Sequence, residues 1–356
     1  MQKIYLINEF DYDMPDIQGY MTGNEDYPIT DLGMMRAELV NTELCRHKLN
    51  IIYSSPLLRC KDAAKLMFGS VTECEELSDA HLGLWQGLGL DEIQTKWPEE
   101  YSDWLFNPVS TPPEAEPMEQ RVRRLEEFLT KCVRQHSDDI AVFTHKNIVA
   151  PFIADLLGLP EDKMTHIQLP FGAVTTIEWT GSSFSVLNSG EQIIPSLDDS
   201  TIDLFLDHYK VSESESARCL RIAEQARQWA LQLSETGLLL DADTVFAAGR
   251  LQSIGGPDQE GAELGGRILD TMGYADEAFA VLNHIQVFFR SIINEAVLLY
   301  LANRSFSYGD KLSFDEVFQR DRARIPDSAD TQIELDKIII HMINALYDSE
   351  LIPLSE

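Results

Sequence analysis

The sequence predicts an α/β domain followed by an all-α domain, and three observations predict it. Short apolar strings of strand character open the chain and recur through its first half. An acidic stretch carrying Pro195, Ser196 and Ser200 interrupts at residues 191–203. Beyond it the strand-like strings stop and apolar residues fall at helical spacing. The chain has 356 residues, 44% of them hydrophobic, which is room for two cores. The expected organisation is residues 1–190 as an α/β domain, 191–203 as a linker and 204–356 as a helical domain.

Taken in order, Lys3-Ile4-Tyr5-Leu6-Ile7 alternates, turns wholly apolar and meets a polar break, which reads as a short buried strand. The loop from Tyr20 to Gly33 closes on Tyr27-Pro28-Ile29-Thr30-Asp31-Leu32-Gly33, and Thr30 or Asp31 is placed to cap a helix. Ile51-Ile52-Tyr53-Ser54-Ser55-Pro56-Leu57-Leu58-Arg59-Cys60 reads as strand, turn and helix start. Further strings follow at Leu77-Ser78-Asp79-Ala80-His81-Leu82-Gly83-Leu84-Trp85-Gln86-Gly87, Ile140-Ala141-Val142-Phe143-Thr144-His145 and Pro170-Phe171-Gly172-Ala173-Val174-Thr175.

In this order and spacing, the motifs of residues 1–190 resemble those of the histidine phosphatase (phosphoglycerate-mutase-like) superfamily. The matching patterns are "D-x-P-L-T-x-x-G", "IYSSPLLRA", "L-x-E-x-x-x-G-x-W-E-G" and "VTH". The resemblance implies a three-layer α/β fold with a mostly parallel sheet. It also implies a pocket with Arg59 as a phosphate-binding arginine, Asp79 at the position of the family's acid, and His145 as the second pocket histidine. The family's first strand ends in Arg-His-Gly, with the Arg gripping phosphate and the His serving as nucleophile. Here those positions read Asn8-Glu9-Phe10, and the small residues expected after His145 are Lys146-Asn147.

Phosphohistidine chemistry needs a neutral imidazole nucleophile and cationic donors to the transferring group. Glu9 repels a phosphate dianion, and Asn8 removes a bidentate guanidinium. Two readings of the remaining groups stay open. In one, Glu9 pairs with Arg59 and closes the old site. In the other, Glu9, Asp79 and His145, with Asp11, form a site for Mg²⁺, Mn²⁺ or Zn²⁺. The first is the expectation, so no metal and no cofactor is assigned. Residues 97–105, from Trp97 to Leu105, fall where the family carries a substrate lid and are expected to pack as a helix over the pocket. Thr111-Pro112-Pro113 stands at the family's substrate rim, without its glycines. His47, His136, His166 and His208 match no catalytic position and are expected to serve packing or surface roles.

In the second half, helical patterns cover residues 217–233, 242–251, 261–272, 277–289, 292–301, 314–318 and 333–347. Asp241 and Asp258 are expected N-caps, and Gly237 and Gly273 expected stops. The motif order resembles that of HD-domain phosphohydrolases, whose His and Asp ligands hold metal ions that activate water. Every ligand position but one departs from the pattern. Arg218 replaces the early histidine, and Leu251-Gln252-Ser253-Ile254-Gly255 stands for "LHDIG". Pro257-Asp258 lacks the histidine of its motif, and Leu301-Ala302-Asn303-Arg304 carries Asn for Asp. His284 alone remains. A site of Arg218, Gln252, Ser253, Asp258, His284 and Asn303 is a poor metal centre.

The net charge of −31, with 59 acidic against 28 basic residues, disfavours nucleic acid as a partner. Arg121, Arg123 and Arg124 are expected on a solvated helix face paired with Glu119, Glu126 and Glu127. Five scattered cysteines without a C-x-x-C pair read as reduced thiols, and no signal peptide or membrane span is expected, which gives a cytoplasmic protein. The tandem of two phosphoester-hydrolase resemblances suggests a bacterial setting. The expected function is that of a catalytically inactive two-domain pseudophosphatase. It would act as a scaffold or regulatory subunit with a protein partner, an active relative or a second copy. The alternative is a remodelled-pocket enzyme or sensor that holds a small anionic ligand through Arg59 and His145.

Overall fold

The computed structural model describes residues 1–107, 110–160, 163, 167–285, 293–306, 311–324, 326–347 and 351–354. Contact clustering divides the chain into two compact units, Met1–Pro195 and Ser196–Glu356.

The first unit runs β1 (Gln2–Asn8), α1 (Asp31–Leu44), β2 (Ile51–Ser54), α2 (Leu58–Phe68), β3 (Thr72–Glu73), α3 (Leu90–Lys96), α4 (Pro98–Phe106), α5 (Met118–Gln135), β4 (Ile140–Thr144), α6 (Lys146–Leu156), β5 (Val174–Trp179) and β6 (Phe184–Glu191). The strands form one sheet in the order β3-β2-β4-β1-β5-β6. The pairs β1–β4, β2–β4 and β2–β3 are parallel, whereas β5 and β6 join antiparallel at the other edge. This matches the mixed, mostly parallel sheet expected from the sequence.

Strand period 2 builds the three layers. In β1, Ile4 and Leu6 point to one core with Ile140 and Val142 of β4, covered by Leu125, Phe128 and Leu129 of α5 and Val149 and Phe152 of α6. Tyr5 and Ile7 point to the opposite core with Ala141 and Phe143, covered by Ala37 and Val40 of α1 and Ala63 and Ala64 of α2. A strand buried on both faces carries an apolar run, which is why residues 4–7 lose their polar alternation. The parallel strands β1, β2 and β4 end on the same side, and the residues that follow them, Glu9, Ser55 and His145, begin the loops there. Loops at the carboxyl ends of such strands are where open α/β sheets bind ligands.

The second unit comprises α7 (Asp199–His208), α8 (Glu213–Ser234), α9 (Ala242–Leu251), α10 (Gln259–Met272), α11 (Ala275–Asn283), α12 (Glu295–Ser305), α13 (Phe314–Arg324) and α14 (Pro326–Tyr347). Side chains of Asp198, Ser212, Asp241, Asp258 and Asn294 cap five of these helices. Gly273 ends α10 in the left-handed conformation. Gly249 lets α8 and α9 approach closely, since a Cβ there would lie 2.7 Å from Ala223 Cα. Among the described residues no helix is long and apolar enough to cross a membrane.

The expected linker is shorter than the sequence suggests. β6 runs to Glu191, and α7 starts at Asp199, inside the predicted linker. The acidic composition hid a cap and an apolar stripe: Asp198 accepts from Thr201 N–H, and Ile202, Phe205 and Leu206 are buried at helical spacing. The pattern expected over 277–289 ends as α11 at Asn283, and 286–289 lie outside the described residues.

Of the two candidate caps for α1, Thr30 is the N-cap: its Oγ1 accepts from Gly33 N–H and donates to Asp11 O. Thr30→Ala is expected to lower stability by about 1 kcal/mol, and Asp31→Ala by only a few tenths. Urea denaturation followed by tryptophan fluorescence checks this, and equal losses would reassign the cap.

Candidate functional site

Glu9, one residue past β1, and His145, one residue past β4, are neighbours because Asn8 and Thr144 pair in register. Asp79 comes from the loop after the 3₁₀ turn Glu75–Leu77, and Arg59 from the first turn of α2. The four side chains that the sequence nominates with Asn8 therefore meet, all of them buried.

Their pairing differs from expectation. Glu9 does not pair with Arg59. The Arg59 guanidinium bonds Glu25 O and Gly23 O, each at 2.7 Å, and the Asp79 carboxylate at 3.1 Å, and it lies 4.9 Å from the Tyr12 ring centroid. Asp79 takes the cation, and Asn147 and the Ala80 N–H donate to the same carboxylate. Glu9 instead accepts from the Lys146 N–H, in the first turn of α6, at 2.9 Å, where the helix dipole favours a carboxylate. Asn8 donates to Pro170 O, and its buried Oδ1 has no hydrogen-bond partner. Asp11, the optional fourth member of a cation site, pairs with Arg36 at 2.7 Å.

Burial, reinforced by the Asp79 charge, pushes Glu9 up to about 7. Burial also raises Asp79, against the opposing pull of Arg59. His145 is pushed well below its ordinary value by burial and then by Arg59, so it is a neutral imidazole. Its Nε2 shares a hydrogen bond with Ser55 Oγ at 2.8 Å, and its Nδ1 lies 3.8 Å from both Glu9 Oε2 and Asp79 Oδ2. One ligand atom each from Glu9, Asp79 and His145 lie within 4.8 Å of one another, which makes this trio the candidate cation cluster among the described residues.

Above this floor is a cavity of about 310 Å³. Glu9 and Asp79 line it together with Tyr12, Tyr20, Trp104, Arg121, Lys146 and Asn147. Arg59 and His145 do not, and both are fully buried. Arg59 is bonded to Glu25 O, Gly23 O and Asp79, and the His145 imidazole to Ser55 Oγ. The lid expectation holds in part. Trp104 of α4 lines the cavity, edge-on to Trp85, whereas Trp97 sits beside Lys96 at the junction of α3 and α4. Thr111 and Pro112 line the rim.

Sequence reasoning missed the cavity positions of three residues, Arg121, Lys146 and Asn147. Arg121 was expected on a solvated face, but it bonds Glu116 O and lines the cavity. Its neighbour Arg124 is not solvated either: it pairs with the Glu116 carboxylate and bonds Glu76 O and Ser78 O. Lys146 and Asn147 announced themselves only as polar replacements of small residues. Asn147 donates to Asp79 at 3.1 Å. Of the remaining histidines, His47 and His136 bond the hydroxyls of Tyr5 and Tyr53, His208 packs on Tyr209, and His166 lies outside the described residues.

In the helical unit the nominated residues converge only in part. Arg218 bonds Asn303 at 2.9 Å and pairs with Glu215 at 2.7 Å, and Ser253 donates to the same Glu215. His284 feels the Arg218 charge but bonds Val281 O, and burial lowers it to about 4. Gln252 turns to Gly249 O, and Asp258 caps α10, so neither joins the cluster. Sequence reasoning missed Glu215, whose carboxyl Arg218 holds below the usual range.

The raised value of Glu9 sets a pH dependence. Its folded-state value lies above the ordinary 4.5, so ionisation costs the folded state. That cost is absent below about pH 4.5, grows with pH and is complete above about 7. Glu9→Gln keeps an acceptor for Lys146 N–H and removes the cost. It is expected to gain about 3 kcal/mol over wild type at pH 8 and almost nothing at pH 4.5. Denaturant titrations at both pH values check this, and a gain that does not vary with pH would show that Glu9 titrates normally.

Comparison with known proteins agrees with the geometry of the first unit. The "Putative phosphoserine phosphatase 2" of Hydrogenobacter thermophilus is 25% identical over 192 residues, covering 52% of this chain and 94% of that protein. The "Adenosylcobalamin/alpha-ribazole phosphatase" of Escherichia coli is 25% identical over 182 residues, covering 49% of this chain and 90% of that protein. The solved structure of Bacillus stearothermophilus YhfR superposes with a TM-score of 0.50 at 25% identity, over 54% of this chain and 98% of its own. The family model for the histidine phosphatase superfamily (branch 1) matches residues 14–192, beginning downstream of Asn8 and Glu9. Through those residues the chain belongs to the histidine phosphatase superfamily.

Proposed function

We propose that this chain is a pseudophosphatase, a member of its family that does not turn over phosphomonoesters and acts as a regulatory or scaffold protein. The observation that carries the reading is the pocket floor. Where the family needs a nucleophilic imidazole, Glu9 presents a carboxylate beside a second one, Asp79. A phosphate dianion entering the cavity meets both. The arginine that would grip it, Arg59, faces Gly23, Glu25 and Asp79 instead. The one imidazole of the site, His145, is buried, neutral and bonded to Ser55.

The helical unit fits the same reading as a degenerate HD-like module. Arg218 stands where the resemblance places a metal-binding histidine, and its guanidinium is already matched by Glu215 and Asn303. A fixed cation there opposes a metal ion electrostatically. Five free cysteines suit a reducing cytoplasm, and the bacterial relatives suit a bacterial setting. The work of such a protein is binding, either of a protein partner such as an active relative or a second copy, or of a small ligand. The uncollapsed cavity over Glu9 favours the small ligand as a second reading.

Two measurements test the proposal. With p-nitrophenyl phosphate, wild type is expected to release no more phosphate than His145→Ala. Turnover that disappears in His145→Ala would refute the pseudophosphatase reading. Elemental analysis of the purified chain is expected to find no stoichiometric Fe, Mn or Zn dependent on His284, and a full equivalent lost in His284→Ala would refute the degenerate module.

A further inference from the structure

The cavity of the first unit carries charge of both signs, placed differently. Glu9 and Asp79 line this cavity alone. Arg121, Lys146 and Asn147 also line an adjoining cavity of about 630 Å³, so the cations stand towards the boundary between the two and the carboxylates towards the floor.

The floor is one positive charge short. Two carboxylates share one guanidinium, and Arg59 gives its ion pair to Asp79. The only hydrogen bond to the Glu9 carboxylate among the described residues is the one from Lys146 N–H to Oε2. A carboxylate on a residue only 2% exposed therefore keeps Oε1 without a donor while lining a cavity. Among the described residues, neither the Lys146 ammonium nor the Arg121 guanidinium has a carboxylate within ion-pair distance, in a chain with about twice as many acids as bases. The Arg121 guanidinium bonds Glu116 O, and the Lys146 ammonium acts on Glu9 only at longer range.

A divalent metal fits this floor poorly. The Asp79 oxygen that faces His145 is the one already held by Arg59, and His145 does not line the cavity, so an ion on the trio would have a guanidinium for a neighbour and no lined path. An organic ammonium carries the single charge that is missing. The aromatic lining of Tyr12, Tyr20 and Trp104 suits it as well, since ring faces attract cations.

We propose that this cavity binds a small zwitterion, with its ammonium group held by Glu9 and Asp79 and its anionic group, a phosphate or a carboxylate, held by Lys146 and Arg121. The polarity is the reverse of a phosphate-floored pocket, and in this the inference rests on the reading that the floor no longer performs phosphohistidine chemistry.

The test is calorimetry on the full chain at about pH 8, where Glu9 is ionised. The probes are O-phosphoethanolamine, β-alanine, inorganic phosphate, methylammonium and MnCl₂. At least one of the two zwitterions is expected to bind about tenfold more tightly than either inorganic phosphate or methylammonium, and whichever binds identifies the anionic group. Glu9→Gln is expected to weaken that zwitterion about tenfold. Lys146→Met is expected to do the same while leaving the backbone N–H that holds Glu9. Binding of neither zwitterion, inorganic phosphate bound as tightly as both, or one equivalent of Mn²⁺ lost in His145→Ala would each overturn the proposal. Because β-alanine carries no phosphoester, its binding reads the site alone. Phosphate released from O-phosphoethanolamine would count against the pseudophosphatase reading without touching the β-alanine result.

Discussion

The shortage of positive charge around Glu9 and Asp79 governs the first unit's pocket. Two carboxylates lie buried near one guanidinium, and the geometry of the loops decides which of them receives it. Asp79 pairs with Arg59, so Glu9 must satisfy itself with the first amide of α6 and a proton affinity raised by its surroundings. His145 stays neutral between them, because protonating it would place another cation near Arg59 in a dry environment. Each local arrangement is a response to the same imbalance, and a carboxylate at position 9 is what created it.

Much of this was legible in the chain. The run Ile4-Tyr5-Leu6-Ile7 announces a strand covered on both faces, and the two cores it enters are the ones found. The Asn8-Glu9 pair, standing where the resemblance implies Arg-His, points to this pocket without any structure. What failed were statements about partners. Arg59 has two acids to choose from, and only the path of the loop after Leu77 tells which one it meets. Arg121 looks like a surface residue on a helical wheel, because the wheel cannot show the carbonyl of Glu116 or the cavity beside it. The linker was misjudged because acidic composition masks capping: Asp198 is an acid with a structural task.

The helical unit shows a second way of handling buried charge. Arg304, next to the nominated Asn303, joins α12 to α13 and α14 through Asp321 and Asp336, and Tyr300 donates to the same Asp336. Here too two carboxylates face one guanidinium, but unlike Glu9 each of them accepts directly from it, and Tyr300 and Gln332 donate further to Asp336. Removing one member of such a buried network leaves its partners without compensation, which makes the junction of the three helices sensitive to single substitutions. The Arg218–Glu215 pair follows the same pattern at the place where the sequence suggested an old metal centre.

β1, one of the two middle strands of the sheet, is translated before both of the strands it pairs with. β1 has no neighbour until residues far downstream exist, since Ile4 pairs with Ile140 on one side and Ile177 on the other. During synthesis a strand with an apolar run at residues 4–7 waits, with both hydrogen-bonding edges open, while more than a hundred residues are added. The second unit has mostly local contacts between successive helices and can close soon after it emerges. The N-terminal half is thus the slow and aggregation-exposed part of the nascent chain, and its maturation is tied to the appearance of β5.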